Sequence, residues 1–137
     1  MKPRSPLDPL EQFRYQIRRF LDFSRRAARA AGLAPQQHQM LLVLAAGRCG
    51  PEPSIRELSR RLFLNHNSAV ELINRLERKG LARRIRSSGD RRQVGVRITP
   101  RGRRVLARLI RHHLAELRSA GPELIRALQT VIRGARR

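Results

Sequence analysis

The chain has 137 residues, enough for one domain with a real core, and 31 Lys or Arg against 10 Asp or Glu give it a formal charge of +21. A hydrophobic content of 40% excludes a disordered polybasic tail. The aromatic content of 4% argues against an RNA-binding surface of stacked aromatic residues, and the single cysteine, Cys49, excludes an intramolecular disulfide framework and a cysteine-cluster zinc site. Because the sequence shows neither a membrane-length apolar run nor the apolar core of a signal peptide, we expect a cytoplasmic protein with a polyanionic partner.

The N-terminal region predicts a loose arm followed by a long helix. Residues 1–8 show no helical periodicity. Asp8 is a typical helix cap and Pro9 fits a first helical turn, so the helix is predicted to begin there. Apolar or small residues then recur at spacings of three and four as far as Ala31, and Gly32 is expected to end the helix.

Two more helices are predicted after this first one. Pro35 opens a helix whose centre, residues 40–46, is apolar nearly all round, which predicts a buried position. After a loop rich in Gly and Pro, Ser54 and Glu57 have the spacing of a capping box at the start of a third helix.

The third and fourth helices are separated by a very short break. Polar residues 65–67 interrupt the apolar pattern, and the fourth helix is predicted over residues 68–79, where Gly80 ends it. Two helices joined by so few residues are typical of a helix-turn-helix.

A small hairpin is predicted after the fourth helix. The apolar period changes from 3.6 to 2, and residues 81–86 and 94–98 have the pattern of two strands. Their loop, residues 87–93, is rich in arginine and turn-forming residues. Such short strands are not stable alone, so we predict a wing over residues 84–97 that rests on the helices.

The C-terminal region predicts two helices. Thr and Pro at 99–100 are a cap and a first helical residue, and the helix is expected to run to about Ser119. The Gly-Pro pair at 121–122 is expected to break it, and apolar residues over 124–132 predict a last short helix.

The predicted fold class is mainly α with a small two- to three-stranded β wing, that is, a winged helix-turn-helix. The expected organisation begins with a loose arm (1–8) and a dimerisation helix (9–33). The DNA-binding domain (34–99), two further dimerisation helices (100–133) and a tail (134–137) follow. The flanking helices carry more apolar surface than one small winged module can cover, which favours a homodimer. The alternative is that they pack on each other within a monomer.

The fourth helix presents a polar face suited to the major groove. On a helical wheel, Ala69, Leu72, Ile73 and Leu76 share the core-facing arc. The opposite arc offers side chains that pair with base edges, and two residues at its N-terminal end can reach phosphates or bases. The candidate DNA-binding residues of this helix are therefore His66, Asn67, Ser68, Val70, Glu71, Asn74, Arg75 and Arg78. An ordinary solvated polar face is the alternative.

Positive charge is concentrated around the predicted wing. Residues 78–111 contain thirteen basic residues and one acid, Asp90. Arg91 and Arg92 at a hairpin tip can enter a narrow minor groove, where Asp90 could orient one of them, and Arg86 is added to the candidate DNA-binding set. Ordinary turn chemistry is the alternative for Asp90 and Arg91.

These motifs, in this order and spacing, resemble the MarR family of bacterial winged helix-turn-helix regulators. The segments that carry the resemblance lie between about residues 33 and 102 and are LAPQQ at 33–37, IRELSRRL at 55–62, HNSAVELINRLERKGL at 66–81, DRR at 90–92 and ITPRG at 98–102.

The resemblance implies a homodimer that is held together by its first and last helices and binds a pseudopalindromic site on double-stranded DNA. It implies that residues 66–71, Asn74 and Arg75 read the DNA, that Arg92 inserts and that Asp90 braces it. Many family members release DNA when they bind small aromatic anions, so the resemblance adds a small-molecule effector as a candidate partner, with its existence, identity and site unassigned.

The chain departs from the family pattern in three ways. Ala34 stands where a hydroxyl cap is usual, and Gly95 is expected to soften a wing strand. The scarcity of aromatic residues counts against an aromatic-lined effector pocket.

No other motif points strongly to chemistry. A lone Cys49 is more often inert than a redox sensor, and the pair His113 and Glu116 is more typical of an exposed helix surface than of a metal site. The sequence has no nucleophile–base pair, phosphate loop or paired carboxylates, so we expect neither an enzyme nor a cofactor.

The leading functional expectation is a sequence-specific transcriptional regulator, most simply a repressor. The alternatives are an architectural protein that coats DNA mainly by charge and, less well supported, a basic RNA-binding protein.

Overall fold

A computed structural model describes residues 5–86 and 94–135 and confirms a mainly helical chain with a small antiparallel sheet. Its elements are α1 (Leu7–Ala30), α2 (Pro35–Ala46), α3 (Ile55–Arg61), α4 (His66–Arg78), β1 (Ala82–Arg86), β2 (Val94–Ile98) and α5 (Pro100–Ala135). Within these ranges, no helix combines the length and the hydropathy needed to cross a lipid bilayer.

The chain forms two compact units. The winged unit comprises residues 28–109, with α2 to α4 and both strands. The helical unit comprises the described residues up to 27 and from 110 onwards, which belong to α1 and α5. The core of the winged unit is built on fully buried Met40, Leu41, Leu58, Ile73 and Leu76.

Helix α1 begins two residues before the predicted start. The Ser5 hydroxyl accepts the backbone N–H of Leu7 at 3.3 Å, so the helix is capped from Ser5 and Asp8 lies within its first turn. A carboxylate in the first turn still stabilises the helix, because it interacts with the partial positive charge of the N-terminal end. At the other end, Gly32 has a φ of 80° and the N–H of Leu33 donates to Ala28, so Gly32 follows the helix as predicted.

The predicted caps of α2 and α3 differ in their chemistry. Ala34 has no side-chain acceptor, but Oε1 of Gln37 accepts its backbone N–H at 3.0 Å, which supplies half of a capping box. The Ser54 hydroxyl accepts the N–H of Glu57 at 3.1 Å, and the Glu57 carboxylate accepts the Ser54 N–H in return. The capping box predicted for α3 is therefore confirmed.

Helix α4 begins at His66 rather than at Ser68. The side chain of Asn65 accepts the backbone N–H of Ser68 at 2.8 Å, which makes Asn65 the N-cap. The prediction of a polar break over residues 65–67 is wrong, because the polarity marks a cap and a first turn.

The hairpin has the predicted strands and one unpredicted contact. β1 and β2 pair from Ala82 opposite Ile98 to Arg86 opposite Val94. Gly95 also forms an isolated bridge with Ser54, and a Cβ at Gly95 would lie 2.8 Å from the backbone oxygen of Glu52. Gly95 therefore permits a close approach of the chain before α3, a role that the sequence did not indicate, and the expected softening of the strand stays a prediction.

Helix α5 is a single helix of 36 residues, with Pro122 inside it. The prediction of a break at 121–122 and of a separate last helix is wrong. Proline removes one helical hydrogen bond, but apolar residues continue at spacings of three and four across it, at Leu117, Ala120, Leu124 and Leu128. The apolar stripe therefore continues on the same face of the helix before and after Pro122.

The start of α5 packs closely on the end of the α4 segment. The Thr99 hydroxyl accepts the N–H of Gly102 at 3.0 Å and donates to the Gly80 carbonyl at 2.7 Å. The predicted cap at Thr99 is confirmed. A Cβ at Gly102 would lie only 2.2 Å from the carbonyl oxygen of Leu81.

We predict that Gly102→Ala lowers the free energy of unfolding by about 1–3 kcal/mol, because the new methyl group must push the first turn of α5 away from Leu81. Urea denaturation followed by circular dichroism measures this. Gly134→Ala is the matched control: a Cβ there meets nothing within 4 Å in an exposed helical position, so stability should stay the same or rise slightly. Equal effects of the two substitutions would contradict the prediction.

Candidate nucleic-acid interface

The face of α4 that points away from the core is the candidate interface. Ala69, Leu72, Ile73 and Leu76 are buried, as the helical wheel predicts. On the remaining surface, Val70 and Asn74 are half-buried and the other predicted residues are exposed, namely His66, Asn67, Ser68, Glu71, Arg75 and Arg78. The structure therefore brings these eight residues together on one helix.

A carboxylate organises the basic side chains of this face. The Glu71 Oε1 atom lies 3.6 Å from Nε of Arg75 and 3.7 Å from a terminal nitrogen of Arg78. The Nε of Arg78 also donates to the backbone oxygen of Asn74 at 3.4 Å. All three charged side chains are more than half exposed, so these ion pairs are weak and phosphate or base acceptors can replace them.

A second carboxylate fixes α4 to the hairpin. Glu77 accepts the backbone N–H of Arg84 at 3.1 Å and forms an ion pair with the Arg84 guanidinium. Both side chains are about one-third exposed. The contact joins the helix to β1, so it sets the position of this strand relative to the exposed face of α4.

Three basic residues of the charge-rich stretch 78–111 have partners inside the winged unit. Lys79 donates to the Gly32 carbonyl at 2.9 Å and to Gln37 Oε1 at 2.8 Å, which ties the end of α4 to the α1–α2 connection. Arg84 pairs with Glu77, and Arg97 pairs with Glu52. The density of basic residues in the sequence could not distinguish the cations that form contacts within the fold from those available to bind DNA.

Part of the predicted wing surface is described and part is not. Arg86 is exposed and lies in the last pair of the hairpin, opposite Val94. Asp90, Arg91 and Arg92 lie outside the described residues, so their roles remain as predicted from the sequence.

The other candidate sites show no convergence of reactive groups. Among the described residues, no group of three His, Cys, Asp or Glu side chains could hold a metal ion. His113 contacts the Ser24 hydroxyl at 2.8 Å and packs edge-on against Phe20 and Phe23, so it contributes to the helical unit. Cys49 is half-buried in its loop.

A cavity of about 370 Å³ lies in the winged unit, beside the end of α4. Arg78, Lys79 and Arg101 supply positive charge to its wall, and Leu33 and Leu81 supply apolar surface. No aromatic side chain belongs to its described lining.

Comparison with known sequences assigns the chain to a family. The MarR family profile matches residues 31–93, which cover α2 to β1. The transcriptional regulator BldR from Sulfolobus solfataricus is 31% identical, with 81% of each chain covered and a TM-score of 0.60. The chain belongs to the MarR family.

Two further relatives concern DNA and its transcription. A Thauera aromatica protein named as a transcriptional regulatory protein for the hcr operon is 35% identical over 96 residues, or 70% of this chain. The chain spans about half of that relative's length, 56%. The structure of Streptococcus pneumoniae FabT in complex with DNA is 25% identical, covers 64% of this chain and 59% of FabT, and has a TM-score of 0.56.

We predict that Glu77→Ala lowers the free energy of unfolding by about 1–2 kcal/mol, because the Arg84 N–H and guanidinium lose their acceptor. Glu77→Gln keeps an acceptor oxygen and should restore part of the loss. Glu11→Ala is the control, since Glu11 makes only an exposed ion pair with Arg18 and its removal should cost little. A Glu77→Ala variant as stable as Glu11→Ala, by urea denaturation, would contradict this.

Proposed function

We propose that this MarR-family protein is a sequence-specific, double-stranded-DNA-binding transcriptional regulator that acts as a repressor in the cytoplasm. The observation that carries the proposal is the face of α4, where eight residues with base-pairing or phosphate-binding chemistry lie opposite a buried apolar stripe. The helix-turn-helix geometry and the DNA complex of FabT support it.

In the proposed complex, α4 enters the major groove. Its first turn presents free backbone N–H groups beside His66 and Asn67, which suits phosphate oxygens at the groove edge. Asn74 is half-buried, so its amide has limited freedom and can form a bidentate pair with adenine. Arg75 and Arg78, released from Glu71, can pair with guanine or phosphate.

The hairpin has a separate role in the proposal. The Glu77–Arg84 contact holds β1 against α4, so the wing follows the helix onto the DNA. Arg86 is exposed at the end of β1 and is assigned to the DNA backbone, and Arg91 and Arg92 are assigned to the minor groove from the sequence alone. The proposed DNA-binding domain comprises residues 34–99.

The helical unit supports a homodimer as the binding species. Within this unit α1 and α5 contact each other through Arg19 and Glu123, 3.0 Å apart, and through Ser24 and His113. Several large apolar side chains stay exposed after that packing, namely Leu7, Leu10, Leu114, Leu117, Ile125, Leu128 and Ile132. A second copy that covers them would remove this surface from water and place two α4 helices on one pseudopalindromic site. A small-molecule effector stays a prediction.

We predict that Asn74→Ala relaxes the base preference at one or two positions of the site, whereas Arg92→Ala weakens binding without changing the central preference. Selection of bound duplexes from random DNA, followed by affinity measurements at fixed salt, tests both. Arg118→Ala, an exposed substitution outside α4 and the hairpin, is the control for loss of one charge. Unchanged operator affinity in both variants would refute the assigned reading surface.

The same selection separates the proposal from its alternatives. A regulator should prefer its site over random duplex by about 10³ or more, with two half-sites about one helical turn apart. An architectural protein would bind random duplex almost as well, and tighter binding to RNA would favour the third possibility.

We predict that the chain is a dimer at micromolar concentration and that the double substitution Leu128→Glu, Ile132→Glu makes it a monomer. Charged side chains cannot be buried without partners in an apolar interface. Light scattering measures the mass, and circular dichroism shows that the helices persist. Leu42→Glu, at an exposed position of α2, should leave the dimer intact. A monomeric parent chain would overturn the dimer.

A further inference from the structure

Phe63, in the turn between α3 and α4, combines two unfavourable features. Its side chain is 96% exposed. Its φ is 55°, and it is the only residue other than glycine with a positive φ in the part of the chain that the structure describes. Residues with a Cβ avoid this region, above all bulky ones, and a fully exposed phenyl ring gains nothing from the hydrophobic effect.

The backbone of the turn explains the φ but not the ring. The N–H of Phe63 donates to the Arg60 carbonyl at 3.3 Å, and the N–H of Leu64 donates to the Ser59 carbonyl at 2.9 Å. These bonds close the end of α3 and require one left-handed residue, which glycine supplies at no cost. The aromatic side chain therefore does not stabilise the winged unit.

Phe63 lies close in sequence to the N-terminal end of α4. It lies three residues before His66, the first residue of α4, at the end of the helix that the proposed function places against base edges and phosphates. The preceding residues Arg60 and Arg61 are exposed and basic. A basic surrounding favours a polyanion over an apolar protein surface, and duplex DNA offers an apolar group in the major groove, the methyl group of thymine.

We propose that Phe63 packs against a thymine methyl group in each half-site and so determines a preference for thymine at one position. This inference rests on the proposed function and extends its reading surface beyond α4. The ring supplies the specificity, and the disfavoured backbone conformation is the cost of placing it at the turn.

The test compares Phe63→Gly with the parent chain on an operator obtained by selection and on the same operator with deoxyuridine in place of single thymines. Deoxyuridine lacks only the methyl group. For the parent chain, deoxyuridine at one thymine position in one half-site should weaken binding about fourfold, which is the effect of burying one methyl group. Deoxyuridine at that position in both half-sites should weaken binding about fifteenfold. For Phe63→Gly, affinity should fall by at least as much, and the same deoxyuridine should then have no effect.

Thermal unfolding separates contact from structure. Phe63→Gly should melt at a higher temperature than the parent chain, because glycine adopts the turn without strain. Phe63→Asn, which tolerates the same backbone conformation, should bind as weakly as Phe63→Gly, and Phe63→Leu should recover part of the thymine preference. A lower melting temperature for Phe63→Gly would overturn the inference, since the ring would then stabilise the fold.

Other outcomes also have a definite meaning. If Phe63→Gly keeps full operator affinity and the parent chain's sensitivity to deoxyuridine, the inference fails while the proposed function stands. If it keeps affinity but loses self-association by light scattering, the ring is a contact between copies and the inference fails. If the parent chain prefers no duplex sequence, the proposed function itself fails, and the inference fails with it.

Discussion

The winged unit depends on the close contact between the first turn of α5 and the segment that leaves α4. The Thr99 hydroxyl bridges the Gly80 carbonyl and the Gly102 N–H, and no side chain fits between Gly102 and Leu81. Lys79 and Glu77 attach the same end of α4 to the α1–α2 connection and to β1. Four elements thus converge within a few residues, and the orientation of the candidate reading helix follows from that convergence.

Three acidic residues hold arginines in specific contacts of the winged unit, in a chain of charge +21. Glu77 and Glu52 neutralise Arg84 and Arg97 where strands meet neighbouring segments, and Glu71 spaces two arginines along α4. The Glu77–Arg84 contact is partly shielded from water and serves the fold, whereas the contacts of Glu71 are exposed and easily exchanged. Glu77 and Glu52 thus hold two cations in contacts between elements, and the exposed arginines of α4 are available to a polyanion.

Most of the fold could be predicted from the sequence, because apolar periods and capping boxes are local signals. Six of the eight positions on α4 followed from one helical wheel and two from their place at its N-terminal end, and both strands followed from the change of period. The errors have physical causes: Pro122 lies in a helix whose apolar stripe continues past it, and Asn65 is a cap that resembles a loop residue. Lys79, Glu77 and Phe63 could not be assigned, because their roles depend on tertiary partners or on one backbone angle.

Lys79 has a practical consequence, because the chain contains only two lysines and this one is a structural tie. Reagents that acylate amines abolish the cation and replace its three N–H donors by one. Lysine-directed labelling or immobilisation would therefore loosen the junction beneath α4 and distort any measurement made on the tagged protein. A fluorophore or surface attached through the thiol of Cys49, in the loop between α2 and α3, leaves the Lys79 amine unmodified.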